Sequence, residues 1–332
     1  MSSFPLHKLC NNAAKLVLMQ MEPQEKLAYS FCSKATKNAV KSLNLSTSMI
    51  KFEVGMKILV TVQIDRNTEL LILLALDMNL ASFPPGQDFE IRVMLSSTET
   101  GIWSLSKFTN QTILHHLLDI FHHPRLDDLS FDDEAIPFEA IEPIREVVDG
   151  VKLGSLTLIW PLTDLFKSRA IRTFQNYEEL YVRDFHCLEV DKILMQNLRR
   201  VVNVNAYDMT IDHILVSNFE MIQFNLTMFV EKDYNRFLKS WIRGSNPRLK
   251  QFHAGGPTPY RPLDAELIFK GIKYKQIPWD CEEVHRRKMI GGWEEETELA
   301  GGYIIRRLNG DNAVVVIERD TINFITDCFS RY

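Results

Sequence analysis

A recurring pattern, apolar-x-x-apolar-x-apolar, limits most strongly what this chain can fold into. It occurs at Leu126/Leu129/Phe131, Leu153/Leu156/Leu158, Tyr177/Leu180/Val182, Phe219/Ile222/Phe224 and Leu249/Phe252/Ala254, with a weaker copy at Arg199/Val202/Val204. The starts at 126, 153, 177, 199, 219 and 249 give spacings of 27, 24, 22, 20 and 30 residues. Apolar positions two apart fit half-buried strands, and an interval of roughly 20–29 residues fits a strand–helix repeat. The intervening segments have helical spacing. Thr163 can cap Phe166/Ala170/Phe174, while Val190/Ile193/Leu194 and Ile211/Ile214/Leu215 each share a face. Asp233 reads as the cap of Tyr234, Phe237, Leu238, Trp241 and Ile242, a helix that ends at Gly244 and cannot resume at Pro247. Such alternation builds a curved solenoid of parallel strands or an open α/β sheet. The Asn or Cys expected at the ladder position is missing, because Glu134, Pro161, Phe185, Thr227 and Pro257 stand there, so the repeats are degenerate.

The rest of the chain has a different period. Helices are expected within 12–43, on the faces Ala14/Val17/Leu18/Met21, Leu27/Phe31 and Val40/Leu43, with Pro23 opening the second and Ser33 capping the third. Residues 1–45 hold six lysines and two acids, +4 against −5 for the whole chain. The stretch reads either as a cap on the next domain or as a small basic-rimmed module that completes its core on a partner. Strict alternation at Ile58–Ile64, Ile72–Leu76 and Phe89–Leu95 predicts a small antiparallel sheet. Near the end, Tyr303–Leu308 and Ala313–Ile317 flank Asn309-Gly310-Asp311-Asn312, a hairpin signal. Ile322, Ile325 and Phe329 suggest a last helix behind Asp320, and Glu294, Glu295, Glu296 and Glu298 a solvated loop. The fold class is therefore α/β: three helices in 1–45, an antiparallel sheet in 46–105, the strand–helix array in 106–255, and a hairpin cap in 256–332.

Function classes are narrowed mainly by exclusion. A chain of 332 residues with 45% apolar and 24% charged side chains is globular, and a net charge of −5 gives no general attraction to nucleic acid or anionic membrane. The longest apolar run, Leu70–Leu76, is far short of the roughly 20 residues a membrane helix needs. No secretory signal is expected, and five cysteines without CxxC spacing favour reduced thiols in cytoplasm or nucleus. There is no GxG dinucleotide loop, phosphate loop, HExxH or GxSxG. His115, Asp119 and His122 share a helical face that could ligate a metal, the basis of a metal-dependent hydrolase reading. The stronger reading is a helix end favoured by its carbonyl dipole, with no metal and no cofactor. Asp127, Asp128, Asp132, Asp133 and Glu134 lack the glycine of a calcium loop and read as solvent-facing charge, and Arg286-Arg287-Lys288 is too small for a nucleic-acid footprint.

Two segments carry a resemblance. Phe4-Pro5-Leu6-His7-Lys8-Leu9, Val17-Leu18, Met21-Glu22-Pro23, Leu27 and Phe31-Cys32-Ser33-Lys34 resemble an F-box of the kind expanded in nematodes, with Cys10 where a second proline is common. Ile211–Leu215 and Asp233–Leu249, above all Asn235, Phe237-Leu238-Lys239, Trp241 and Gly244-Ser245-Asn246-Pro247, resemble the type 2 F-box-associated domain. The resemblance implies a non-catalytic substrate-recognition subunit of a Skp–cullin–F-box ubiquitin ligase. Its leucine-rich-repeat-like half would hold an unknown protein target. It places Phe4, Pro5, Leu6, Leu9, Val17, Leu18, Met21 and Leu27 against the Skp adaptor, which in turn binds cullin. Solvent-facing strand positions Thr157, Tyr181, Gln223 and His253 are the expected target face. The alternative is a protein-interaction module that no longer engages the ligase.

Overall fold

The computed structural model describes residues 10–55, 57–65, 68–75, 89–95, 98–105, 108–133, 136–159, 162–184, 193–256, 261–278, 284–291 and 293–326. The chain forms two compact units, Met1–Tyr177 and Glu178–Tyr332. It is a mixed α/β protein with nine α-helices among the described residues. Of the proposed adaptor contacts, Phe4, Pro5, Leu6 and Leu9 lie outside the described residues, as do Phe329 and the ladder positions Glu134, Pro161, Phe185 and Pro257.

The N-terminal unit opens with α1 (Asn11–Gln20), α2 (Pro23–Phe31) and α3 (Lys34–Lys41), as the spacing predicts. Ser33 caps α3 by accepting from the Thr36 N–H at 3.1 Å. Strands follow at β1 (Met49–Val54), β2 (Ile58–Gln63), β3 (Glu69–Ala75), β4 (Phe89–Leu95) and β5 (Thr98–Leu105), then α4 (Asn110–Ile120), β6 (Leu126–Phe131), α5 (Ile141–Val147), β7 (Leu153–Leu158) and α6 (Asp164–Thr173). The strand order within this unit is β7-β6-β1-β2-β3-β4-β5. β1 pairs antiparallel with β2 and parallel with β6, so the antiparallel sheet extends the first two repeat strands. Phe52, Val54, Leu129, Phe131, Leu156 and Leu158 point to one face and are buried, with α4, α5 and α6 supplying Ile113, Leu117, Ile144 and Phe166. Phe131 meets Phe166 edge-on at 5.3 Å. Gly154 admits the β6–β7 approach, since a Cβ there would lie 2.5 Å from the Asp127 carbonyl oxygen.

The C-terminal unit contains β8 (Tyr177–Asp184), β9 (Arg200–Asn205), α7 (Ile211–Val216), β10 (Met221–Phe224), α8 (Glu231–Arg243), β11 (Gln251–Gly255), α9 (Ala265–Ile268), β12 (Tyr274–Ile277), β13 (Val284–Gly291), β14 (Trp293–Ala300), β15 (Gly302–Arg306), β16 (Asn312–Glu318) and β17 (Thr321–Ile325). The main strands run in the order β12-β15-β16-β17-β11-β10-β9-β8. β8 to β11 are mutually parallel, as the repeat requires, and β17 closes on β11 antiparallel. The β15–β16 hairpin turns at Gly310, whose φ is +102°.

Three expectations are corrected here. Ile322 and Ile325 lie in β17, not in a last helix, because Val315↔Phe324 pairing with β16 makes the alternation of period two decisive. The acids 294–298 lie in β14, whose register sets Glu298 opposite Arg286 and Glu296 opposite Lys288 on β13. Asp233 is the third residue of α8, and its carboxylate reaches back to accept from the Val230 N–H at 3.0 Å.

Candidate functional site

Helix α1 exposes its apolar side chains. Leu16, Val17 and Met19 are 64%, 41% and 56% exposed, whereas Leu18 and Leu27 are 2% and 1% exposed and belong to the unit's own core. Met21 is half-buried. The adaptor-facing set named from the resemblance is thus split, with Val17 on the surface and Leu18 and Leu27 inside. Leu16 and Met19 were missed, although the uninterrupted apolar run Leu16–Met19 holds more apolar residues than one helix face can bury.

Helices α2 and α3 are anchored on α4. His116 is buried, shares a 2.7 Å hydrogen bond with Ser30 and stacks on Phe31 at 4.3 Å. Burial, with Lys37 adding to it, lowers its pKa to about 4, so the ring is neutral at pH 7. Asp119 receives Lys37 and Lys41 at 2.8 and 2.5 Å, and these bonds lower its pKa to about 2. His122 contacts the Lys41 carbonyl at 2.9 Å, His123 binds Asp127 at 2.6 Å, and His115 is exposed. The face proposed as a metal site therefore serves to hold α3 on α4. Among the described residues no three His, Cys, Asp or Glu side chains are grouped to hold a metal.

Two members of the acidic cluster depart from the solvent-facing expectation, while Asp132 is exposed and Glu134 lies outside the described residues. Asp127 accepts from the Ile50 N–H at 2.8 Å, locking β1 beside β6. Asp128 is half-buried, and its carboxylate accepts from Ser155 and Thr157 at 2.5 and 2.7 Å. Burial raises its pKa despite both donors. The Thr157 hydroxyl, expected on the target face, is thus committed to Asp128.

In the C-terminal unit, the strand register places Tyr181, Val202, Gln223, His253 and Asn323 in one row across β8, β9, β10, β11 and β17. Three of the four proposed target residues therefore share one line. Gln223 and His253 are half-buried, and His253 Nδ1 meets Asn323 Oδ1 at 2.8 Å. The neighbouring row was missed. There Glu179 and Arg200, 5% and 3% exposed, pair at 3.0 Å, and the Tyr181 hydroxyl donates to Glu179 at 2.5 Å while accepting from Arg200 at 3.2 Å. Arg199 adds a second guanidinium to Glu179. Burial, then the Glu179 charge, raises the Tyr181 pKa. Period two was the available signal, since Glu179 lies two residues before Tyr181 on the same face.

Residues 189–254 match the family described as F-box associated. Over these residues the chain is similar to F-box associated domains. The F-box associated domain-containing protein sdz-33 of Caenorhabditis elegans is 34% identical over 82 residues, which cover 23% of this chain and 27% of that relative. The chain thus aligns with about a quarter of the curated relative it matches. No solved structure matches it. Within the F-box associated region the distinctive string is architectural. Phe237 packs on Phe252 and Phe324 at 4.9 and 5.3 Å, and Trp241 on Phe324 at 5.0 Å. Asn235 donates to the Ile268 carbonyl at 2.6 Å, closing α9. Gly244, at φ +117°, ends α8. Asn246 donates to the Ile214 and Ser217 carbonyls at 2.7 and 3.1 Å, closing α7.

Proposed function

We propose that this chain is a substrate-recognition subunit of a Skp–cullin–F-box ubiquitin ligase, acting in cytoplasm or nucleus. The N-terminal helices dock a Skp-family adaptor, and the C-terminal strand–helix array, read as leucine-rich-repeat-like, holds a protein target. The observation that carries this reading is the exposed apolar face of α1, Leu16/Val17/Met19, in the segment that resembles an F-box. Fully burying one such side chain contributes roughly 1.5–3 kcal/mol, so three supply a docking surface of useful affinity. The F-box associated region supports the same assignment for the other half. The Tyr181/Gln223/His253 row offers an aromatic ring and hydrogen-bonding groups to a target. The chain contributes proximity, because holding a target lysine beside a ubiquitin carrier makes the transfer effectively intramolecular.

The test is adaptor capture by the purified full chain. Leu16→Asp/Met19→Asp places charge in the contact and should weaken adaptor binding at least about 100-fold, each tenfold being 1.4 kcal/mol. Its melting temperature should stay at the wild-type value, because neither side chain is in the core. Leu18→Asp is unsuitable, since Leu18 is part of the fold. Wild-type chain that captures no adaptor at micromolar concentration would make it an interaction module outside the ligase.

A further inference from the structure

A cavity of about 490 Å³ lies in the C-terminal unit beside the end of α8, lined by Glu220, Trp241, Arg248, Lys250, Arg307 and Asp311 among others. Its chemistry is unbalanced. Glu220 receives both Arg248 and Lys250, at 2.9 and 3.0 Å, so two cations answer one carboxylate. Arg307 is 8% exposed. Its guanidinium carbon lies 5.2 Å from the Trp241 ring centre, and one of its nitrogens donates to the Ser245 carbonyl at 2.8 Å. Neither partner carries a formal negative charge. Asp311, exposed at the hairpin, already accepts from the Asn309 amide at 2.7 Å. The lining thus carries three cations against two carboxylates.

Arg307 also leaves most of its donors uncommitted. A buried cation without a counter-charge is costly. The Ser245 carbonyl accounts for one N–H of Arg307, but a guanidinium has five. An oxyanion seated here would accept from Arg307, with Lys250 and Arg248 at the rim. The volume suits one side chain or small group, being within the roughly 300–1,000 Å³ of small-molecule sites.

We propose that this cavity binds an oxyanion, phosphate or carboxylate, carried on a side chain of the protein target. The inference rests on the reading of the C-terminal unit as the target-holding half, and not on adaptor docking.

The experiment titrates the full chain, without adaptor, against three fluorescent heptapeptide pools centred on phosphoserine, glutamate or serine, and follows anisotropy. At least one acidic pool should bind tenfold or more tightly than the serine pool, and which one does so identifies the oxyanion. Lys250→Gln, at a half-exposed site, should reduce that affinity by about tenfold with an unchanged melting temperature. Arg307→Lys keeps the charge but loses the fork, and should reduce it further. Equal binding of the three pools would overturn the proposal. So would an acidic preference that survives Lys250→Gln, or binding of inorganic phosphate with no preference among the pools. Failure of the ligase reading shows separately, in adaptor capture.

Discussion

In the N-terminal unit the carboxylates on the polar side of the sheet are held by hydroxyls: Asp128 by Ser155 and Thr157, and Glu53 by Thr61 at 2.8 Å. In the C-terminal unit the buried carboxylate on the polar side, Glu179, is held by the guanidinium groups of Arg200 and Arg199. Asp128 and Glu179 occupy the same kind of position, the x residues of a degenerate strand repeat. A hydroxyl donates one hydrogen bond without charge, so burial still disfavours the ionised acid. A guanidinium supplies the opposite charge, and each partner then depends on the other. The N-terminal unit should therefore tolerate loss of a carboxylate charge, and the C-terminal unit should not.

Glu179→Gln gives the largest expected effect. It leaves Arg200 buried without its full counter-charge, and breaking a buried pair on one side costs about 3–5 kcal/mol. Chemical denaturation of the full chain should show that loss in the transition of the C-terminal unit, and Glu179→Gln/Arg200→Met should recover part of it. A double variant no better than the single one would mean that the pair is not the unit of stabilisation.

Acid gives the next effect, and it falls on the N-terminal unit. His116 is held neutral, with a pKa near 4 against an ordinary 6.5. Between these values the unfolded chain binds the extra proton, so stability is fully present above about 6.5 and is lost as pH falls toward 4. The loss amounts to about 3 kcal/mol, at 1.36 kcal/mol per unit. Asp119, lowered to about 2, adds to it only below its ordinary value of 3.8. His116→Phe keeps a ring against Phe31 and should flatten the slope of unfolding free energy between pH 6.5 and 4. An unchanged slope would assign the acid sensitivity elsewhere.

How far the fold was legible follows from how local each signal is. The six repeat strands, Thr163 as cap, Gly244 as stop and the Gly310 hairpin rest on periodicity and turn chemistry within about ten residues, and each stands where the sequence puts it. The pairing of β1 with β6 is long-range, and nothing in either segment's composition names the other as partner. β17 was misread because Ile322, Ile325 and Phe329 satisfy a helical spacing, and only pairing with β16 and β11 on either side makes the segment a strand. The site was less legible than the fold. Tyr181, Gln223 and His253 follow from strand alternation and do share a row, but Thr157 is taken by Asp128 from the neighbouring strand. The cavity at the α8 end sets Arg307 beside Trp241 and Arg248, and although the last two share the Asp233–Leu249 string, no motif links Arg307 to them.

The smallest effect sharpens the contrast most. Asp128 is held partly desolvated, with burial raising its pKa and two hydroxyls and the Lys51 charge opposing that rise. For an acid whose folded pKa lies above its unfolded one, the unfolded chain releases its proton first as pH rises. Stability is therefore lost between the two values and stays lost at pH 7. Asp128→Asn removes the ionisation while its carbonyl oxygen still accepts from Ser155 and Thr157. The new amide hydrogens sit where acceptors are scarce, which limits the gain. The expected outcome is a small stabilisation at pH 7, less than either effect above. That gain should shrink toward zero as the pH falls below the ordinary carboxyl value of 3.8, where the wild-type acid becomes protonated in both states. The same acid-to-amide change at Glu179 should carry the opposite sign. Destabilisation of both variants by several kcal/mol would mean that the N-terminal carboxylate also depends on a cation, and the distinction between hydroxyl-held and guanidinium-held charge would fail.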